Sequence, residues 1–252
     1  MSFAQSLRQD ADPIFEAIYL HPFVQGIAKG QLSPESLIHY VSQDTEYLNT
    51  YSKVYGMALS KAQTPDQMRL FYNRIGILLE GELIPHLNLC RVAGVTHDEV
   101  MQHPVELAPT AHHYARHMLC VAQQGTLGEI VAVVLPCQWV YVDTARRIME
   151  EFQPTTEHPF YDWISFYASD EMHQGLMELT ALLDHLAPCA GELDLAMMRS
   201  AFLDSSRLEY QFFDMAFTLQ KWTPSGPDAY SLGEKPDSDS FDSRSVRVNT
   251  NV

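Results

Sequence analysis

Helix-start signals recur along this chain, while strand-like alternation bounded by tight glycine turns does not, and this contrast limits the fold more than any other feature. Ser33-Pro34 and Thr64-Pro65 each set a capping side chain before a proline at the first helical position. Thr64 with Gln67, Thr96 with Glu99 and Thr126 with Glu129 have capping-box spacing, in which two side chains satisfy the orphan N–H groups of a first turn. Stop signals match them: Gly30, Gly94 and Gly125 follow apolar-periodic stretches, and Pro154 and Pro188 lie just past others. The pattern predicts helices near 3–19, 22–29, 34–62, 65–93, 111–124, 127–153, 159–168, 170–187 and 192–222, several of them long enough for a bundle. The expected class is all-α.

With 252 residues and 46% hydrophobic composition, the chain can bury one large core. Residues 1–222 read as a single helical domain. From 223 to 252 the apolar period disappears into a Ser-, Pro- and Gly-bearing stretch, expected to be a mobile polar tail. His21-Pro22-Phe23 and His158-Pro159-Phe160 share a tripeptide, but the residues after the two copies do not match.

Sixteen basic residues against 32 acidic ones give a formal charge of -16. That charge opposes binding to nucleic acid and to anionic membranes. No apolar run approaches the roughly eighteen residues that span a bilayer. Cys90, Cys120, Cys137 and Cys189 are too scattered for CxxC chemistry, and the amino terminus has no charged-then-apolar leader, so a cytoplasmic location is expected.

Cys137 follows Pro136 at the end of the apolar run Ile130–Leu135, with Tyr141 four residues later. On a helix the thiol and the phenol share one face, and Pro136, lacking an N–H, is expected to bend the helix and free a backbone carbonyl there. A small buried hydrophobe is the commoner explanation of an isolated cysteine of this kind. Tyr40, Asp44, Tyr47, Tyr51 and Tyr55 recur at helical spacing, setting one carboxylate in an aromatic stripe. A half-buried tyrosine face would give this pattern, and so would a pocket for an aromatic, nitrogen-rich ligand. Glu209 shares an apolar face with Phe212 and Phe213, which suits either a solvated charge or an acid/base with a raised pKa.

Glu82 and His86, Asp170 and His173, and Asp143 raise the alternative of a di-iron oxidase, since helical bundles hold such centres with Glu-x-x-His sets. Only one three-residue pair is present, and it carries Asp in place of Glu. His112, His113 and His117 lack a matching carboxylate or cysteine block, so no metal or other cofactor is expected. A non-catalytic carrier or regulator binding such an aromatic ligand would need Asp44 and the aromatic residues but not Cys137.

The ordered blocks HPFVQGIAKGQL, QDTEYL, LPCQWVY, WISFYASDEM and SSRLEYQFFDMA resemble the cysteine-containing class of the TenA family, also called thiaminase II, from about residue 5 to 220. The resemblance implies a haem-oxygenase-like helical fold without haem, a homotetramer, and a small pyrimidine as the partner. The implied reaction is hydrolysis of aminopyrimidines to hydroxymethylpyrimidine in thiamin salvage, with weaker cleavage of thiamin itself. By motif, Cys137 matches the family's nucleophile, Glu209 its acid/base, and Asp44 the residue that binds the pyrimidine amidine. Tyr47 and Phe212 match residues lining the ring pocket, Tyr141 and Tyr167 match tyrosines around the cysteine and substrate, and Tyr114 matches a further pocket tyrosine. Thr45-Glu46 stands where many relatives carry bulkier residues.

Overall fold

The computed structural model describes residues 1–80 and 83–223, and residues 1–221 pack as one compact unit. Twelve α-helices run through the described residues: α1 (Phe3–Asp10), α2 (Asp12–Tyr19), α3 (Pro22–Lys29), α4 (Pro34–Lys61), α5 (Pro65–Glu80), α6 (Leu83–Ala93), α7 (His97–Val100), α8 (Pro109–Gln124), α9 (Leu127–Phe152), α10 (Tyr161–Ala168), α11 (Asp170–Leu186) and α12 (Glu192–Thr218). A single 3-10 turn, Ala187–Cys189, follows α11, and the described residues contain no strand. The predicted tail falls, from residue 224 onward, outside the described residues.

The starts follow from the side chains that cap them. Ser33 accepts from the backbone N–H of Ser36 at 3.1 Å, and Thr126 and Glu129 cap each other reciprocally at the head of α9. Thr64 accepts from the N–H of Gln67, whose side chain reaches back to Gln63 rather than to Thr64. At the stops, Gly30 and Gly94 sit at φ +70° and +77°, a left-handed conformation that glycine adopts without a Cβ penalty. Gly125 ends α8 in an extended conformation instead.

Three boundaries differ from expectation. The predicted helix over 3–19 is two helices, interrupted at Ala11, because Pro13 cannot donate to the preceding turn and its ring crowds the carbonyl four residues back. The helix predicted over 65–93 is seen as α5 and α6 on either side of residues 81–82, which lie outside the described residues. The Thr96–Glu99 box opens only the one-turn α7. The last helix stops at Thr218, four residues short of expectation, with Leu219 in the left-handed region.

The hub of the unit is α9, which packs against α12, α10, α11, α8 and α4. From Ile130 to Leu135 it is buried on every side, which explains a continuous apolar run where a surface helix would show a stripe. This corrects the expectation about membrane-spanning length, because an eighteen-residue window of α9 reaches a mean hydropathy of 1.2. That window, however, is 83% buried inside the protein. Its apolar character serves the core, and the helix brings Cys137 to the level where α4, α10 and α12 converge on it.

Candidate active site

Asp44, Tyr51 and Tyr55 from α4, Cys137 and Tyr141 from α9, and Tyr167 from α10 line one cavity, closed on its far side by α5 and α11. The shared face expected for Cys137 and Tyr141 is therefore the cavity face. Tyr141 packs on Tyr167 with ring centroids 4.8 Å apart, and its hydroxyl shares a 2.5 Å hydrogen bond with that of Tyr40. Tyr51 donates to the carbonyl of Val134 at 2.6 Å, tying α4 to α9 two residues before Pro136. Burial pushes the phenols of Tyr40, Tyr47, Tyr51, Tyr114 and Tyr141 well above their ordinary range, so this wall stays neutral and donates hydrogen bonds at any physiological pH.

Glu209 of α12 is only 2% exposed. Its Oε1 accepts from the hydroxyl of Tyr114 at 2.6 Å, and the Cys137 thiol beside it favours its charged form. Burial pushes this carboxyl up to about 8, with the charge of Asp44 adding to the rise and the bond from Tyr114 and the Cys137 thiol pulling against it. The result is a protonated acid near neutral pH rather than a solvated helix charge. Tyr47 packs between Tyr114 and Phe212, with ring centroids 4.9 Å and 5.4 Å away respectively.

All eight residues singled out from the sequence thus meet at one place. Asp44, Cys137, Tyr141 and Tyr167 face the cavity, while Glu209, Tyr114, Tyr47 and Phe212 stand next to the thiol or behind it.

Two further side chains escape sequence reasoning. Helical spacing pairs His86 with Glu82; Glu82 lies outside the described residues, and the Nε2 of His86 sits 2.8 Å from Oδ2 of Asp44. Arg74 of α5 lines the cavity, donates to Glu178 at 2.6 Å and lies across Gly175, where an added Cβ would fall 2.0 Å from its Nη1. No spacing rule links positions so far apart, although an arginine interrupting the apolar stripe of α5 is a readable anomaly.

The two described carboxylates of the di-iron alternative are engaged elsewhere. Asp143 accepts from Arg8 and Asp170 from Arg146. Among the described residues no group of three or more His, Cys, Asp or Glu is arranged to hold a metal ion. His112 and His113 are exposed.

Residues 8–219 match the model of the TENA/THI-4/PQQC family. An aminopyrimidine aminohydrolase from Halalkalibacterium halodurans is 35% identical over 227 residues, covering 90% of this chain and all of the relative. Among solved structures, the TenA homologue protein from P. horikoshii OT3 superposes with a TM-score of 0.76 at 24% identity, covering 86% of this chain and 99% of the other. A domain of unknown function with a heme oxygenase-like fold from Shewanella denitrificans OS217 superposes at 0.67 with 13% identity, covering 85% and 92%. The helical architecture is therefore the haem-oxygenase-like one, and with a family match that reaches from α1 to the end of α12, this chain belongs to the TENA/THI-4/PQQC family.

Proposed function

We propose that this chain hydrolyses aminopyrimidines, exchanging an exocyclic amine for a hydroxyl to give 4-amino-5-hydroxymethyl-2-methylpyrimidine in thiamin salvage. The observation that carries the reading is the placing of Cys137 beside the buried carboxyl of Glu209 at a cavity walled by Asp44 and tyrosines. The 35% identical relative, named an aminopyrimidine aminohydrolase, supports the substrate class.

The reaction has a poor amine leaving group, and attack on the ring interrupts its aromaticity. Adding the Cys137 sulfur to a ring carbon creates the electron density that expels the amine, provided that Asp44 hydrogen-bonds the amidine edge and stabilises the added ring. The thiol proton passes to the ionised fraction of the neighbouring Glu209. Now an acid, Glu209 protonates the departing amine as the methylene C–N bond breaks. It then removes a proton from the water that adds to the exocyclic methylene, and loss of the thiolate restores the ring. Over the cycle water is consumed and amine released, with both protein groups returned to their starting state. A pKa near 8 suits a group that must act first as an acid and then as a base.

The same reading includes weaker cleavage of thiamin, a cytoplasmic location, a homotetramer, no metal requirement, and residues 223–252 as a polar appendage outside the catalytic unit. Mass spectrometry of the products formed from 4-amino-5-aminomethyl-2-methylpyrimidine and from thiamin tests it. Hydroxymethylpyrimidine from the first in higher yield is expected, and no product from either overturns the assignment. A pyrimidine carrier would bind without turnover in the wild type.

A further inference from the structure

Asp44 is held from another helix. Its Oδ2 lies 2.8 Å from Nε2 of His86, and both side chains are buried. A carboxylate only accepts, so Nε2 carries the hydrogen and donates it. The imidazole is itself located by a near-parallel stack on His97, at 5.8 Å between centroids and 13° between planes. The Thr45 hydroxyl lies 3.5 Å from Nδ1 of His86 and 3.5 Å from Nε2 of His97, while donating to the carbonyl of Val41 at 2.8 Å. On its far side His86 borders a second cleft of about 170 Å³, which it lines with His97, Asn49 and Ser52. Leu48 and Leu78 line both this cleft and the catalytic cavity, forming the partition between them.

Resting on the function proposed above, we infer that His86 is a positioning residue for pyrimidine recognition and acts through Asp44. The terminal torsion of an aspartate is broad and nearly two-fold, so an unanchored carboxyl would sample many orientations in the cavity. A hydrogen bond from Nε2 to Oδ2 fixes that torsion and leaves Oδ1 for the amidine edge of the ring. The charged, buried bond is of the strong kind, and breaking it leaves Asp44 both misdirected and short of a donor.

The test uses the purified full chain and two readouts, calorimetric binding of the hydroxymethylpyrimidine product and steady-state hydrolysis of the aminomethylpyrimidine. His86→Ala removes the donor and opens its space to the second cleft, which has room for free imidazole. It is expected to weaken product binding and raise KM by about tenfold or more, with a smaller change in kcat. Added imidazole should restore most of the loss in His86→Ala and none of it in His86→Phe, whose ring fills the space without donating. On wild-type protein, the Nε2–H proton resonance of His86 should be visible by NMR and should shift when product binds. This last measurement stands even if a variant folds poorly. Product binding and KM unchanged in His86→Phe overturn the inference, as does a His86→Ala defect that imidazole leaves untouched, or an Nε2–H resonance that ignores the product. Wild-type protein that neither binds nor hydrolyses a pyrimidine overturns the function itself, a different result from wild-type activity that survives loss of the His86 donor.

Discussion

Replacing Glu209 with glutamine should stabilise the protein while disabling it, and the two effects have separate pH signatures. The folded carboxyl holds its proton up to about pH 8, against 4.5 as its ordinary value. Between these values the unfolded chain has released a proton that the folded chain keeps. The sign is therefore fixed: this group's contribution is complete below pH 4.5, declines by about 1.4 kcal/mol per pH unit as pH rises, and levels off above 8. The accumulated cost is about 5 kcal/mol above pH 8 and about 3 kcal/mol at pH 7. The glutamine side chain would keep an oxygen to accept from Tyr114 and an amide N–H to face Cys137, so the variant escapes the cost without losing its bonds. Thermal melts at pH 7 should place Glu209→Gln roughly 6–12 °C above wild type, with the gap shrinking toward zero near pH 4.5. Product binding should stay within about tenfold while most of the turnover is lost. Parallel melting curves for the two proteins from pH 5 to 8.5 would refute the reasoning, because they would mean that Glu209 titrates alike in the folded and unfolded chain.

Cys137→Ser should abolish hydrolysis with little change in melting temperature, since it removes the soft nucleophile and alters little volume; wild-type rates in that variant would eliminate the covalent route. Asp44→Asn should impair product binding and turnover together, by about 1–3 kcal/mol in affinity, because the amide cannot offer the carboxylate's charge to the ring; calorimetry checks the first and initial rates the second. Tyr114→Phe removes a hydrogen bond that favours ionised Glu209, so the acid limb of the kcat/KM profile, where Glu209 ionises and can take the thiol proton, should move to higher pH, and a downward shift would contradict the assignment. Activity should survive exhaustive treatment with EDTA or phenanthroline, whereas loss on chelation and recovery with iron would revive the oxidase alternative.

The helices are legible where local chemistry decides them, and less so where packing or a single residue intervenes. Ser33 and Thr126 cap as their spacing implies, because a capping bond involves only residues within one turn. Pro13 is as readable as Pro34, yet the apolar period on both sides of it conceals the break at Ala11. In the site, Cys137 with Tyr141 and Asp44 with its tyrosines can be grouped by helical spacing alone. That Glu209 answers to Tyr114, 95 residues away, cannot be read in this way, nor can the choice between a solvated and a buried carboxyl, which depends on how α12 is rotated against α8 and α9. His86 misleads for the same reason: the i,i+4 rule offers a neighbour close in sequence, while the bond it makes is to another helix.

Arg74 and Gly175 are, in evolutionary terms, one character written at two positions. A Cβ at 175 would fall 2.0 Å from the guanidinium, so a side chain there pushes the end of Arg74 off its bond to Glu178, whereas shortening position 74 first meets no such obstacle. Substitutions at the two sites should therefore be coupled: Gly175→Ala alone displaces Arg74 from Glu178 and is nearly silent in an Arg74→Met background. Among relatives, a side chain at 175 is expected to go with a shorter or redirected one at 74.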